Sequence, residues 1–187
     1  AGGQGSVTVK NTSLYAQPID EKITGTLHCN GSDYWIVIHQ NNSNSFRSYL
    51  LTASGVNTAA VVSAAGPISN NFNTKMRISA TGSKLASTER LVGNPRFGVS
   101  LYDFDNSSGL VSNFQSIYSD FNGIEGYGVE FSPDGSKLYG SNYTFILPNA
   151  GSLHQWDLCA GSLPAIVASH YSVITSPLGH AMQLAIN

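Results

Sequence analysis

The chain has 187 residues and a formal net charge of −2, with 11% charged and 41% hydrophobic side chains. So few charges, against an average of about 25%, leave no basic stripe for nucleic acid, and no apolar run approaches the ~20 residues that cross a bilayer. The surface is left to Asn, Ser, Thr and Gly, which suits an exported β protein.

Ala1–Gly5 has neither a charged n-region nor an apolar h-region, so it does not read as a signal peptide. Ser6–Lys10 alternates apolar and polar residues and reads as a strand, and Leu14–Glu21 reads as a crossing segment. Four short extended runs follow: Ile23–Cys29, Tyr34–Gln40, Ser45–Thr52 and Val56–Ser63. Gly66–Thr74, rich in Asn, Pro and Ser, links them to a second set: Lys75–Ser79, Lys84–Thr88, Val99–Asp105 and Leu110–Ile117. After the linker Ser119–Tyr127 comes a third: Gly128–Ser132, Lys137–Asn142, Leu153–Leu158 and Leu163–Ser169. Ala181–Ile186 then opens one more strand. Gly or Pro every few residues and the lack of a sustained 3.6-residue period predict no helix.

The three sets are copies of one unit. Gly128-Val-Glu-Phe-Ser-Pro-Asp-Gly-Ser-Lys-Leu-Tyr-Gly140 is a strand, a tight turn and a strand, with Pro, Asp and Gly supplying the turn chemistry. Gly31, Gly82 and Gly135 fall at the same place in successive copies, at an interval of about fifty residues. A second register keeps step with the first, through Gly55, Gly109 and Gly161. Four strands per repeat of this length mark a β-propeller blade. The expected fold is therefore all-β: four-stranded antiparallel blades at 23–63, 75–117 and 128–169, flanked by an outer strand at 6–10 and an inner strand at 181–186. Hairpin turns belong at Asn30–Ser32, Thr81–Ser83 and Asp134–Ser136. Phe46, Tyr49, Tyr102, Phe104 and Trp156 are expected between blades, with Trp35, Phe131 and Leu138 also buried. Three blades and two strands read as part of a six- to eight-blade ring, whose remaining blades would lie in the same parent chain. The outer faces of such an arc should expose apolar side chains and drive self-association.

The motif His28-Cys-Asn-Gly-Ser-Asp-Tyr-Trp-Ile-Val-Ile-His39, followed by Asn42-Ser-Asn-Ser-Phe46 and Tyr49-Leu-Leu-Thr-Ala-Ser-Gly55, resembles a propeller of large secreted Bacteroidetes proteins. Those proteins often end in a gliding-motility-associated or type IX secretion sorting domain. Tyr102–Ser112 and Tyr127–Tyr139 fit the same pattern, although the Ser-Pro-Asp-Gly hairpin also occurs in WD40-like and YVTN-type propellers. Ala80-Thr81 departs from the usual Pro-Asp at that turn. The resemblance implies an extracellular or cell-surface module without established catalytic residues.

Ligand-binding candidates are the residues expected on the rim where inner strands begin: Glu89, Arg90, Arg96, Glu125, Tyr127 and His180, with Asn42 and Asp120 nearby. Glu89, Arg90 and Arg96 share one loop, where guanidinium groups would match a carboxylate or sugar acid; the plainer alternative is a solvated loop with local ion pairs. His28 and His39 sit at opposite ends of one hairpin and do not converge on a metal. Asp103, Asp105 and Asn106 offer at most a weak calcium edge. No Gly-x-Ser-x-Gly elbow is present. Cys29 and Cys159 fall on turns of different blades, too far apart for a disulfide. No metal or cofactor is expected. The favoured function is a non-catalytic module binding a protein or glycan. The competing one is a lactonase-like or quinoprotein-like enzyme using Arg96, Glu125 and His180 at the channel mouth.

Overall fold

The computed structural model describes residues 10–69, 74–89, 97–120, 125–143, 151–176 and 182–183. The expected outer strand 6–10 lies outside these except for Lys10, which is in no strand, and the expected inner strand 181–186 lies outside them except for Met182 and Gln183.

The architecture is an open propeller arc of three antiparallel blades. Blade one consists of β1 (Ile19–Leu27), β2 (Tyr34–Gln40), β3 (Ser43–Thr52) and an outer strand in two pieces, β4 (Gly55–Val56) and β5 (Val61–Ser69), both paired with β3. Blade two is β6 (Met76–Ile78), β7 (Lys84–Glu89), β8 (Phe97–Asp105) and β9 (Leu110–Asp120). Blade three is β10 (Glu125–Phe131), β11 (Lys137–Tyr143), β12 (Gly151–Asp157) and β13 (Tyr171–Ser176). The inner strands β1, β6 and β10 are successive neighbours, and β5 lies beside β9.

The turn chemistry accounts for the repeat. Gly31, Gly82 and Gly135 have φ of 75°, 68° and 71°, in the left-handed region that a Cβ disfavours. Their N–H groups donate to the carbonyls of His28, Ser79 and Ser132, one turn in three copies. The second register repeats it, with φ of 113°, 76° and 88° at Gly55, Gly109 and Gly161.

Two apolar seams hold the arc together. The first combines Trp35, Val37 and Phe46 of blade one with Met76, Leu85, Tyr102, Phe104 and Val111 of blade two. The second combines Ala86, Val99, Leu101 and Ile117 of blade two with Val129, Phe131, Leu138 and Trp156 of blade three. The side chains expected to be buried are buried, each large one contributing roughly 1.5–3 kcal/mol.

Two expectations need correction. The stretch 163–169, expected as an outer strand, instead holds the one helix among the described residues, α1 (Leu163–Ala168); the outer strand is β13, immediately after it. Ser162 caps the helix by accepting from the Ala165 N–H, and a proline occupies the first turn, where its missing donor costs nothing. The tertiary reason lies across the seam. Ala86 occupies in blade two the position that Trp35 occupies in blade one. The Trp35 indole seals the first seam by donating from Nε1 to the Asn106 carbonyl, 2.9 Å away. Ala86 cannot reach, and Ile166 and Leu163 of α1 pack into the second seam with it.

The first inner strand also starts earlier than expected, at Ile19, and its pattern is inverted. Asp20, Lys22 and Thr24 are buried against blade two, while Ile19, Ile23 and Leu27 face outward and are exposed.

Candidate functional site

The linker end of the arc, where the sequence places a ligand, is built from the ends of β2 and β7 and the starts of the inner strands. Glu89 is the last residue of β7 and is buried rather than in an exposed loop. Its Oε2 accepts from Lys22 Nζ at 2.8 Å, and its Oε1 accepts from the Tyr102 hydroxyl at 3.2 Å. Lys22 also donates to Ser69 Oγ at 3.3 Å and lies 3.8 Å from Asp20 Oδ2. That same Oδ2 is 2.7 Å from His39 Nδ1, and the imidazole meets the Phe46 ring edge-on. Two carboxylates, an ammonium and an imidazole thus share one dry space between blades one and two. Burial alone would raise the Glu89 carboxyl. The Lys22 ammonium, its hydrogen bond, His39 and Ser87 overcome this and hold it below the usual carboxylate range. Burial and the adjacent Glu89 charge push the Tyr102 hydroxyl strongly upward, so it remains a donor.

Of the other sequence candidates at this end, Tyr127 and Glu125 lie on β10. Tyr127 is half-buried on β10, with Lys75 Nζ 5.7 Å from its ring centre, and its carbonyl accepts from Thr88 Oγ1. Glu125 opens β10. Arg90, Arg96 and His180 lie outside the described residues. Asn42 is an exposed turn residue with φ of 53°. Ion pairs bridge neighbouring inner strands, Lys75 with Glu21 and Arg77 with Glu130.

The remaining expectations have local explanations. His28 packs beside Trp35 and accepts from its own turn, while His39 belongs to the buried cluster. Asp103 pairs with Lys84 and Asn113, and Asp105 accepts from Ser107 and Ser108 in its own turn. Cys29 and Cys159 are both free and exposed.

An open concavity lies at the opposite end. A cleft of about 370 Å³ lies between blades two and three, under α1. Its floor is aliphatic: Leu101, Leu158, Leu163 and Ile166. Its rim carries Thr81, Ser83, Lys84, Gln115, Asp134 and Ser162. The hydroxyls of Ser79, Thr81 and Ser83 are chained at 3.0 and 2.8 Å. Asp134 accepts from Ser132 and Ser136, which lowers its carboxyl to about 2 and keeps it charged. The cleft therefore offers one fixed anion, one ammonium partly neutralised by Asp103, and several neutral donors over a greasy floor.

Behind the cleft, a polar chain locks α1 and β13 to the seam. The Ser152 N–H donates to Asn142 Oδ1 at 2.7 Å, which orients the amide so that Nδ2 donates to His154 Nε2 at 3.0 Å. That assigns the neutral His154 proton to Nδ1, from which it is given to His170 Nε2 at 2.9 Å. Trp156 stacks on the His170 ring at 5.3 Å, and Tyr118 of blade two contacts both imidazoles. Burial lowers the pKa of His170.

No family model matches the chain, and no curated protein does. Solved structures do. TolB from Acinetobacter baumannii is 14% identical with a TM-score of 0.48, over 84% of this chain and 33% of that one. A periplasmic gluconolactonase from Pseudomonas aeruginosa is 15% identical with a TM-score of 0.49, over 83% of this chain and 44% of that one. A quinoprotein alcohol dehydrogenase-like protein from Bacteroides thetaiotaomicron is 11% identical with a TM-score of 0.44, over 83% and 34%. The match thus spans between a third and under a half of each of these proteins.

Proposed function

We propose that this arc is a non-catalytic binding module of an exported or cell-surface protein, and that the cleft between blades two and three receives a short peptide segment bearing an aliphatic side chain. The observation that carries this reading is the cleft's division into an aliphatic floor and a rim of hydroxyls, an amide and two opposite charges. Pockets of a few hundred Å³ with few, placed polar groups are the usual form of a ligand site. The low charge content and the resemblance to secreted Bacteroidetes propellers support the exported setting. The buried polar groups at the linker end pair with one another, Lys22 with Glu89 and Asp20 with His39, which supports a role in folding rather than in a reaction.

Amide NMR with a set of short aliphatic peptides and, separately, neutral oligosaccharides tests the proposal. Peptide-induced shifts should concentrate at Thr81, Ser83, Gln115 and Ser162 and vanish in Ser83→Trp, which plugs the rim from an exposed turn. Shifts confined to the linker end, a response to oligosaccharides alone, or peptide binding unchanged in Ser83→Trp would each reject it.

A further inference from the structure

The negative charge on the cleft is not required by the turn that carries it. Asp134 precedes the left-handed Gly135, and the residues at the same place in the other two blades are Asn30 and Thr81, before Gly31 and Gly82. Asn30 builds its turn with a neutral amide, whose Oδ1 accepts from the Ser32 and Asp33 N–H groups. Asp134 does the same work with one oxygen. Its Oδ1 accepts from Ser132 Oγ at 2.6 Å, and from Ser136 N and Oγ at 3.0 and 2.9 Å. Its Oδ2 accepts from nothing among the described residues. The positive charges close by are committed elsewhere. Lys84, the other charged side chain lining the cleft, pairs with Asp103. Lys137, on the far side of the turn, pairs with Asp157 Oδ1 at 2.9 Å. Of the three equivalent turns, the one charged at this position is thus the one on the cleft, and one of its carboxylate oxygens is left unused.

We propose that the cleft reads the free amino terminus of its peptide: the α-ammonium donates to Asp134 Oδ2, and the aliphatic side chain of the first residue lies on the floor formed by Leu101, Leu158, Leu163 and Ile166. This rests on the peptide reading of the cleft and narrows it. An α-ammonium and a side chain leave one Cα in different directions, which matches an anion on the rim above an apolar floor. A lysine side chain fits less well. Its charge sits at the far end of the stem and would enter a floor of four aliphatic side chains, where a buried ammonium has no acceptor.

The test is an amide NMR titration of the 187-residue chain with Leu-Gly-Gly amide, its N-acetylated form, Gly-Gly-Gly amide and N-acetyl-Gly-Lys-Gly amide. The amidated ends leave the α-ammonium as the one charge of the first peptide. Leu-Gly-Gly amide should shift Thr81, Ser83, Gln115 and Ser162, and Gly-Gly-Gly amide should not. Acetylation should weaken binding about three- to fivefold, the upper range of an exposed ion pair. Asp134→Asn copies the neutral turn of blade one, so its circular dichroism should remain that of the parent. In that variant the free and acetylated leucine peptides should bind alike. If the acetylated peptide binds the parent as tightly as the free one at the same residues, this inference fails and the peptide reading stands. A preference for the free amine that persists in Asp134→Asn, or tightest binding by the lysine peptide, also overturns it. No shift at the cleft with any peptide removes the peptide reading and this inference together.

Discussion

Replacing Lys22 with Met isolates the buried charge cluster between blades one and two. The side chain is fully buried and its Nζ lies 2.8 Å from Glu89 Oε2. At that separation an effective dielectric of about 20 gives roughly 6 kcal/mol of attraction. Methionine fills most of the volume, so the loss is electrostatic. It leaves two carboxylates in a dry space with only His39 to offset them, for which removal of one buried partner costs about 3–5 kcal/mol. In a domain of this size that lowers Tm by roughly 6–20 °C. The pH dependence gives the sharper test. In the parent the Glu89 carboxyl is held below its ordinary 4.5, so its contribution is present above that pH and lost as pH falls through the lowered value. In Lys22→Met, burial, the largest influence on Glu89, is opposed only by His39 and Ser87 and lifts the carboxyl above its unfolded value. The penalty is then largest near neutrality and shrinks as acid protonates Glu89. Adding Glu89→Gln, which keeps an acceptor for the Tyr102 hydroxyl, should recover at least half of the loss. Urea unfolding followed by tryptophan fluorescence at about pH 7 and about pH 4 measures all three proteins. A penalty under about 1 kcal/mol at neutral pH, or one equal at both pH values, would show that Lys22 and Glu89 are not a buried pair.

Trp156→Ala should cost about 3–5 kcal/mol in the same unfolding assay. Trp156→Phe should cost much less, because the indole Nε1 is buried without a hydrogen-bond partner and its removal relieves that penalty. Gly135→Ala should cost about 1 kcal/mol for its left-handed backbone alone, since open space surrounds it. Gly82→Ala should cost about 1 kcal/mol more, because the new Cβ presses on the Asn106 amide that donates to the Leu27 carbonyl across the first seam. For His170, whose pKa is lowered by burial, the folded state favours the neutral ring, so stability is full above the ordinary value of 6.5 and falls as pH drops below it. Melting curves from about pH 7.5 to about pH 5 should show this slope, and His170→Gln should flatten it.

The blades were legible because their turns are local: a left-handed backbone position calls for glycine whatever surrounds it, so Gly31, Gly82 and Gly135 disclose the period from sequence alone. The aromatic seam residues followed from alternation on half-buried strands. The helix was harder. Leu163-Pro-Ala-Ile-Val-Ala168 is too short for periodicity to separate helix from strand, and its β-branched residues favour the latter. Ser162 followed by a proline at Pro164 was the available sign. What tips the balance, the small Ala86, lies on another blade. The Lys22–Glu89 pair was illegible for a related reason. Its partners are far apart in sequence, and charged residues alternating with Ile19 and Ile23 imitate an ordinary strand with its apolar side inward. Only the burial of Lys22 against Glu89 of β7 reveals that the pattern is reversed. The cleft was unforeseen as well, because its walls are the turns of two blades and a helix that the sequence pattern did not disclose.

The two seams differ in what must come undone to part them. The first is fastened by Trp35, a rigid ring anchored on its own strand and tied to a neighbouring carbonyl. The second is plugged by a single six-residue helix, too short to persist in water once its contacts are lost. Excursions that melt α1 therefore cost less than those that unseat the indole, and amide protons along β12 and β13 should trade with solvent before those of β2 and β3. The arc has a soft side and a stiff side, and the soft one is where its open cleft lies.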